Sequence, residues 1–426
     1  MREQKRILKN KIALYSLRNP SSHGFFISLF LKAGAIYEAS DEAGITHFLE
    51  HITIRNINSQ MNGGLYPLLD RYGVEFNAST YSEMVQFYTA GASSNFEIGA
   101  DIISKIALPI TLSSKEIETE RGRIKAEIRE NDEKNSLLGF TNGIVNAGTS
   151  LAGSITGTLG SVSKINRTRL EAYRKRVFTP ENLFLYVTGN FTDDQLDLLS
   201  SLVGSWELSE GLARDNSAEV PVSFGKREPK AHIKSGDFTM VRFNFDIDMS
   251  RHTVPALDLL YDTLLGGYNS RFFVEMSEDR GLFYDISGNV ERYKNIGSFA
   301  FSFEVRSDKL YDSVALALDI LYRMTTDALD ESMCMKAGYV TNGCLLADEP
   351  RELNFTFAYD NHIMSEGYTS LEERAERYAR ITPEDIRDAA RVLFAPENMT
   401  LAVKGNKKRI DLSKIDALIL DYKNKF

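Results

Sequence analysis

The chain has 426 residues, more than one ordinary hydrophobic core organises, so its length predicts more than one domain. With 43% hydrophobic and 26% charged residues, its composition excludes a mainly disordered protein. A formal net charge of −9, without a dense block of lysine and arginine, excludes a general nucleic-acid binder. No apolar run reaches the ~18 residues of a membrane-spanning helix, so we expect no membrane insertion.

The N-terminal segment MREQKRILKNKIALYSLRNP is basic, but its apolar part, IALYSL, is too short for the core of a signal peptide. The segment also lacks the serine-rich, acid-free composition of a transit peptide, and we therefore predict a cytoplasmic location. The two cysteines, Cys334 and Cys344, have no neighbouring histidine. They therefore indicate neither a disulfide framework nor a thiolate zinc site.

The segment GITHFLEHIT, between two predicted strands of the first half, contains two histidines and a glutamate. His47 and His51 stand at positions i and i+4, so on a helix both rings project from one face, which Glu50 shares. A catalytic zinc site takes three protein ligands and keeps one open position. The order His-x-x-Glu-His is the inverted-zincin signature and supplies two of those ligands. From these residues alone, a solvated polar helix face remains the alternative.

A third ligand is expected on another helix. The segment SSKEIETERGRIKAEIREND reads as a long helix, and its Ser113 and Glu116 form a predicted capping box. Glu120 and Glu127 are seven residues apart and therefore share one face of this helix, two turns from each other. Both are candidate partners for the two histidines.

An internal repeat divides the chain. FTPENLFLYVTGN, which begins at Phe178, and FAPENMTLAVKGN, which begins at Phe394, agree at eight of thirteen positions. Each follows a helical segment and reads as a strand that ends in a Gly-Asn turn. We predict domains at 1–210 and 230–426, joined by a polar linker at 211–229. The predicted fold class is α+β, with two homologous sandwich domains, each a mostly antiparallel sheet with helices on one face.

Three segments carry a resemblance to a known family: AGAIYEASDEAGITHFLEH, YGVEFNASTYSEMVQFY and ETERGRIKAEI. Together they resemble the N-terminal half of the pitrilysin/insulinase metallopeptidases, which include the mitochondrial processing peptidases. ITGTLGSVSKI and LLGGYNSRFFVEMSEDRGLFYDISG extend the resemblance over most of the chain. It implies one zinc ion per chain, although ligand type alone does not distinguish zinc from manganese or cobalt.

The resemblance also assigns roles to residues around the metal. His47, His51 and Glu127 are the implied ligands, because Glu127 follows His51 at the separation that the third ligand has in the family. Glu120 is the implied supporting acid outside the ligand shell, and Glu50 is the implied general base. When the motif is moved by the offset between the two repeat copies, it meets Thr263, Gly266 and Gly267, so only the first half carries the site.

For the substrate, the resemblance implies an extended peptide that adds to the edge of a strand. The candidate contacts are Asn77, Ala78, Ser79 and Thr80, although an ordinary strand–turn junction is the alternative for each of them. Tyr284 matches the family's substrate-gripping tyrosine, but Ser277 stands where the family has its arginine. We therefore expect either a homodimer or a heterodimer with a related subunit that supplies the arginine.

The implied function is a zinc-dependent endopeptidase for unfolded peptides or leader segments, with a substrate chamber closed by the second half of the chain. One alternative is the catalytic subunit of a heterodimeric peptidase that matures a single ribosomally made peptide. A second alternative is a non-catalytic assembly or binding subunit of the same fold. The intact set of His47, Glu50, His51 and Glu127 argues against the second alternative.

Overall fold

The computed structural model describes residues 1–131, 136–211, 214–283, 286–364 and 370–426. The strands are β1 (Gln4–Ile7), β2 (Ala13–Arg18), β3 (Gly24–Leu31), β4 (Glu75–Thr80), β5 (Val85–Ala92), β6 (Leu183–Gly189), β7 (Ala231–Ser235), β8 (Thr239–Asp248), β9 (Ile286–Arg292), β10 (Ile296–Val305) and β11 (Met399–Gly405).

The helices of the first half of the sequence are α1 (Ile45–Gln60), α2 (Leu65–Tyr72), α3 (Phe96–Ser104), α4 (Ser114–Asn131), α5 (Leu137–Val145), α6 (Leu159–Lys164), α7 (Arg167–Val177) and α8 (Asp193–Gly204). Those of the second half are α9 (Val254–Leu264), α10 (Leu310–Thr326), α11 (Ser332–Asn342), α12 (Pro350–Ala358), α13 (Leu371–Arg380), α14 (Pro383–Leu393) and α15 (Leu412–Lys425). Two further segments, Phe273–Glu278 and Tyr359–Ile363, are π-helical. None of the helices in the described part of the chain combines the length and the apolar character that a bilayer-crossing segment requires.

Two compact units form, and each contains segments from both halves of the sequence. The first unit comprises Met1–Asp132, Gly153–Asn216 and Cys344–Leu371, and the second comprises Glu133–Ala152, Ser217–Gly343 and Glu372–Phe426. These units reflect contacts in the folded chain, whereas the predicted boundaries reflect the similarity between the two copies of the repeat. The boundaries predicted from the repeat, with a linker at 211–229, therefore stay a prediction.

The first unit is built on a six-stranded sheet in the order β1-β2-β6-β3-β5-β4, so β4 lies at one edge. Only the β2–β6 pair in this sheet is parallel, and every other neighbouring pair is antiparallel. One face packs against a layer of helices that includes α1, α3 and α4, and its core contains large buried side chains such as Phe25, Phe48, Phe87 and Phe96. This packing places α1 across the sheet close to β4.

The opposite face of the first sheet is covered by α12, although this helix comes from the second half of the sequence. Leu353 and Phe357 of α12 pack with Phe30 and Tyr186 of the sheet in a separate apolar cluster. Asn354 is fully buried there, and its amide donates to the Tyr186 carbonyl at 2.8 Å. The helix is thus held against the sheet by apolar packing and by a buried hydrogen bond.

The second unit repeats this topology in a five-stranded sheet with the order β7-β11-β8-β10-β9, in which β7 and β11 are the parallel pair. The starts of β6 and β11 are offset in the sequence by the same interval as the starts of α7 and α14. Alternate residues of β8 and β10, such as Phe243 and Phe301, face a helical layer in the main core of this unit. The predicted fold class is therefore confirmed: two similar α+β sandwiches, each with a mostly antiparallel sheet.

Candidate metal centre

Helix α1 begins beside the half-buried carboxylate of Glu38. Glu38 accepts hydrogen bonds from the backbone amides of Gly44, at 2.8 Å, and Thr46, at 2.9 Å. The first amides of a helix have no partner within it, so this carboxylate satisfies two donors and lies at the positive end of the helix dipole. Burial raises the pKa of Glu38, and the hydrogen bonds only partly offset that effect. The start of α1, and with it the direction of its first two turns, is therefore held in place.

Gly44 is needed at this junction for two reasons. Its φ of +87° lies in the left-handed region, which side-chain-bearing residues adopt at a cost. In addition, a β-carbon on Gly44 would lie 2.6 Å from the carbonyl oxygen of Thr156. The backbone near Thr156 thus packs directly on the backbone that enters α1.

Three predicted ligands come together between α1 and α4. The metal-ligating atoms of His47, His51 and Glu127 all lie within 4.8 Å of one another. Glu127 Oε2 is 3.2 Å from His47 Nε2 and 3.7 Å from His51 Nε2. Zinc bonds of about 2.1 Å in tetrahedral geometry separate neighbouring ligands by roughly 3.4 Å. The donor set and its spacing therefore fit a zinc ion held by two histidines and one carboxylate.

Glu120 lies behind His51, on the side away from Glu127. Its Oε2 is 3.5 Å from His51 Nδ1, while its Oε1 accepts from Arg55 and from Arg123, both at 2.9 Å. Burial raises the pKa of Glu120, but the contact with His51 and the two arginine charges outweigh it and lower the pKa overall. A carboxylate at Nδ1 leaves Nε2 of His51 free to face a metal. Glu120 thus contacts a candidate ligand, and its role as the supporting acid stays a prediction.

The pKa of His51 responds to the same neighbours. Burial lowers it, but the contact with Glu120 and the charges of Glu50 and Glu127 outweigh burial and raise it. These acids make the ring nitrogens of His51 strongly attractive to a positive charge. The negative charges of the same acids would also stabilise a dication between His51 and Glu127.

Glu50 lies beside the histidines without joining the group of three. Its Oε2 accepts a hydrogen bond from Thr80 Oγ1 at 2.6 Å and is 3.8 Å from His47 Nδ1. Only 10% of the Glu50 side chain is exposed. Thr80 is the last residue of edge strand β4, so Glu50 lies where the open edge of the sheet meets α1.

The other predicted site residues are less completely described. Asn77, Ala78 and Ser79 lie on β4 with Thr80, but their contact with a peptide stays a prediction. Tyr284 lies outside the described residues. Ser277 is in the second unit, in the π-helical segment, and its hydroxyl donates to the carbonyl of Phe283 at 3.2 Å. Arg280, close to it in sequence, donates to the carbonyl of Glu275 at 2.6 Å.

Arg55 and Arg123 were not predicted from the sequence as part of the site. Arg55 follows His51 by four residues, and Arg123 follows Glu120 by three, so both share a helix face with a predicted site residue. That spacing was the only indication in the sequence that the two arginines lie near the site. It did not show that both guanidinium groups would meet on one carboxylate, which requires α1 and α4 to pack side by side.

Sequence models of known families match both halves of the chain. Residues 14–158 match the model described as Insulinase (Peptidase family M16), and residues 164–333 match the Peptidase M16 inactive domain. The chain belongs to the insulinase, or pitrilysin, family of peptidases. The metal group and Glu50 fall within the first match, as the resemblance predicted.

Relatives in this M16 family cover nearly the whole chain. An uncharacterized zinc protease of Mycobacterium tuberculosis is 23% identical over 388 residues, 88% of this chain and 87% of its own. The uncharacterized zinc protease YmxG of Bacillus subtilis is 21% identical over 401 residues, 93% of this chain and 96% of its own. Among solved structures, a protease from Helicobacter pylori has a TM-score of 0.80 at 16% identity and covers 95% of this chain and 99% of its own. That structural likeness shows the shared fold.

Proposed function

We propose that the chain is a zinc-dependent endopeptidase that hydrolyses extended, unfolded peptides or leader segments. One observation carries the proposal: the donor atoms of His47, His51 and Glu127 gather with metal-ligand spacing, and the buried Glu50 lies beside them. The names of the relatives as zinc proteases support the same class of reaction. When bound, zinc supplies an activated water at neutral pH and polarises the scissile carbonyl.

The chain's own residues supply the remaining chemistry. Glu50 takes a proton from the attacking water and returns it to the leaving amine, as a general base and then a general acid. Thr80 holds one oxygen of Glu50, Oε2, which leaves the other oxygen for the proton transfer. Glu120 orients the ring of His51. The free edge of β4 offers backbone donors and acceptors to which a peptide adds as a further strand.

The test is cleavage of a mixture of unstructured peptides by the purified chain, beside Glu50→Gln and a chelated sample. We expect Glu50→Gln to abolish hydrolysis while its zinc content stays equal to that of the unchanged chain. Glu118→Gln is the matched control, because Glu118 lies on α4 with 65% of its side chain exposed. The Glu118→Gln variant should hydrolyse peptides at the normal rate. Near-normal activity of Glu50→Gln would overturn the assignment of the base.

The dependence on a partner is a separate part of the proposal. Ser277, in place of the family's arginine, favours a related subunit that completes the substrate grip, although a homodimer is the simpler assembly. Cleavage by the chain alone, with native mass spectrometry that shows only self-association, would exclude the heterodimer. A folded, zinc-loaded chain that cleaves only after a related subunit is added would establish it. The substrate chamber closed by the second half stays a prediction.

A further inference from the structure

The helices of the first unit enclose a cavity that is separate from the candidate metal centre. It lies between the C-terminal end of α3, one face of α7 and the end of α8 with the segment that follows, and its volume is about 610 Å³. Small-molecule sites have volumes of roughly 300–1,000 Å³. None of the described residues that line the cavity belongs to α1 or α4, the two helices that carry His47, His51 and Glu127. The cavity is therefore large enough for a ligand of its own.

The loop that forms one wall of the cavity is held from two sides. Pro109, which lines the cavity, has a carbonyl that accepts from Asn56 at 2.9 Å and from Gln60 at 2.8 Å, both on α1. On the other side, Arg167 of α7 donates to the carbonyl of Leu112 at 2.8 Å. This wall is therefore formed before any ligand binds, so a ligand does not have to order it.

Part of the cavity wall is apolar. Trp206, Leu202 and Leu208 contribute to it and are only partly buried against the core of the unit. The indole nitrogen of Trp206 donates to the carbonyl of Ser104 at 2.9 Å, which holds the ring at the end of α3. An apolar group that covers this ring removes both surfaces from water. This part of the wall therefore favours a ligand with an apolar side chain.

The rest of the wall carries charges of both signs. Lys175 and Glu207 are exposed, and neither is paired with another group in the described part of the chain. Glu171 and Arg174 also line the cavity, but both are engaged. Glu171 is 2.8 Å from the guanidinium of Arg167, and Arg174 donates to a backbone carbonyl. Among the described residues of the wall, one cation and one anion therefore remain to bind a ligand.

We propose that this cavity binds a short zwitterionic peptide with an apolar side chain. The carboxylate of the peptide pairs with Lys175, its ammonium group pairs with Glu207, and its side chain covers Trp206. A ligand with a single charge would pair with one of the two charged residues and leave the other without a partner. The inference does not rest on the proposed peptidase function, because binding requires no hydrolysis. If the chain is a peptidase, its shortest products belong to this class of ligand, since hydrolysis of a peptide bond creates one ammonium and one carboxylate terminus.

The experiment uses the fluorescence of Trp206, which reports on this cavity because the chain contains one tryptophan. The dipeptide leucyl-leucine is titrated into the purified chain, and the fluorescence and the heat of binding are both recorded. We expect a saturable change in fluorescence with the same dissociation constant as the heat. N-acetyl-leucyl-leucine lacks the ammonium group, and leucyl-leucine amide lacks the carboxylate. Each should bind about three- to tenfold more weakly, because each loses one charge pair at a partly exposed site.

Substitutions then assign each terminus of the peptide to one residue. Lys175→Gln should abolish the difference in affinity between leucyl-leucine and its amide, and Glu207→Gln should abolish the difference between leucyl-leucine and its acetylated form. Each difference is a ratio measured within one variant, so a partial loss of folded protein does not affect it. Lys164→Gln is the matched control, because Lys164 is exposed on α6 outside the cavity, and it should keep both differences.

Three results would overturn the inference. The first is no binding of leucyl-leucine, and the second is binding without a change in the fluorescence of Trp206 or with ratios that stay the same in either variant. The third is free leucine that binds as tightly as the dipeptide, which would assign the cavity to amino acids. These results leave the proposed peptidase function untouched, because that function is tested by hydrolysis.

Discussion

Arg55 donates a hydrogen bond to Glu120 Oε1 at 2.9 Å, and Glu120 in turn contacts His51, a candidate metal ligand. Glu120 is almost fully buried, with only 3% of its side chain exposed, and its other oxygen meets Nδ1 of His51. A buried carboxylate without a charged partner is costly, so Arg55 stabilises the ionised form of Glu120 at this position. We therefore expect the orientation of His51 to depend on Arg55, which lies one contact further from the candidate metal centre.

We expect Arg55→Gln to weaken zinc binding by about ten- to a hundredfold, the usual cost of losing support behind a metal ligand. Arg123→Gln is the matched control, because Arg123 donates to the same oxygen at the same distance but its side chain is 63% exposed. An exposed ion pair contributes little, so Arg123→Gln should change zinc affinity by less than about threefold. Competition with a chromophoric chelator measures both affinities.

Arg55→Lys distinguishes the charge from the shape of this group. It keeps the positive charge beside Glu120 and should recover part of the zinc affinity. Equal affinities of Arg55→Gln and the unchanged chain would show that Glu120 orients His51 without help from Arg55.

Thr80 offers a test of how Glu50 is positioned. Its hydroxyl donates to Glu50 Oε2 at 2.6 Å, and a hydrogen bond to a charged group contributes about 1.5–3 kcal/mol. We expect Thr80→Val, which keeps the shape and removes the donor, to lower kcat by at least about tenfold with unchanged zinc content. Thr80→Ser keeps a hydroxyl at this position and should retain most of the activity. If Thr80→Val lowers only the affinity for peptides, Thr80 is a substrate contact and not a positioning residue.

Two glycine substitutions, one at the start of α1 and one on α4, should change the free energy of unfolding in opposite directions. Gly44→Ala forces a side chain into a left-handed conformation and against the Thr156 carbonyl, which should lower the free energy of unfolding by about 2 kcal/mol or more. Gly122→Ala places a methyl group on an exposed position of α4 with no atom within 4 Å, which should raise it by up to about 1 kcal/mol. Urea unfolding midpoints check both. A Gly44→Ala variant as stable as the unchanged chain would show that this junction relaxes freely.

Much of the site could be predicted because its signals are local or repeated. The spacing of His47 and His51 on one helix needs no knowledge of the tertiary fold, and the capping box of Ser113 and Glu116 forms as predicted, with hydrogen bonds in both directions. The internal repeat likewise indicated two similar sandwiches, because both copies preserve the same strand and the helix before it.

The features that escaped prediction depend on pairs of residues far apart in the sequence. The position of α12 on the first sheet brings Arg351 to Glu75, 276 residues away, and no local pattern records such a pair. The apolar residues of α12 indicate only that one face of the helix is buried, and they do not identify the sheet that buries it. For the same reason the contact between Phe355 and Tyr81 became visible only in the folded chain.

Zinc binding and catalysis should depend on different residues of this chain. The unfolding temperature measured with and without zinc tests zinc binding alone, because it needs no substrate. A ligand that binds only the folded state stabilises it, by about 2.7 kcal/mol at a free concentration a hundred times its dissociation constant. We therefore expect the unfolding temperature of the unchanged chain to rise with free zinc. Glu127→Gln removes the carboxylate ligand and should abolish most of this rise, whereas Glu130→Gln, an exposed position on the same helix, should not.

Glu50→Gln decides between two roles for Glu50 in the same experiment. Its unfolding temperature should rise with zinc as in the unchanged chain, because Glu50 lies beside the group of three and not within it. A response like that of Glu127→Gln would instead make Glu50 a ligand, and the general base would then have to be sought elsewhere. A zinc response retained in full, together with lost hydrolysis, is the combination that a general base predicts.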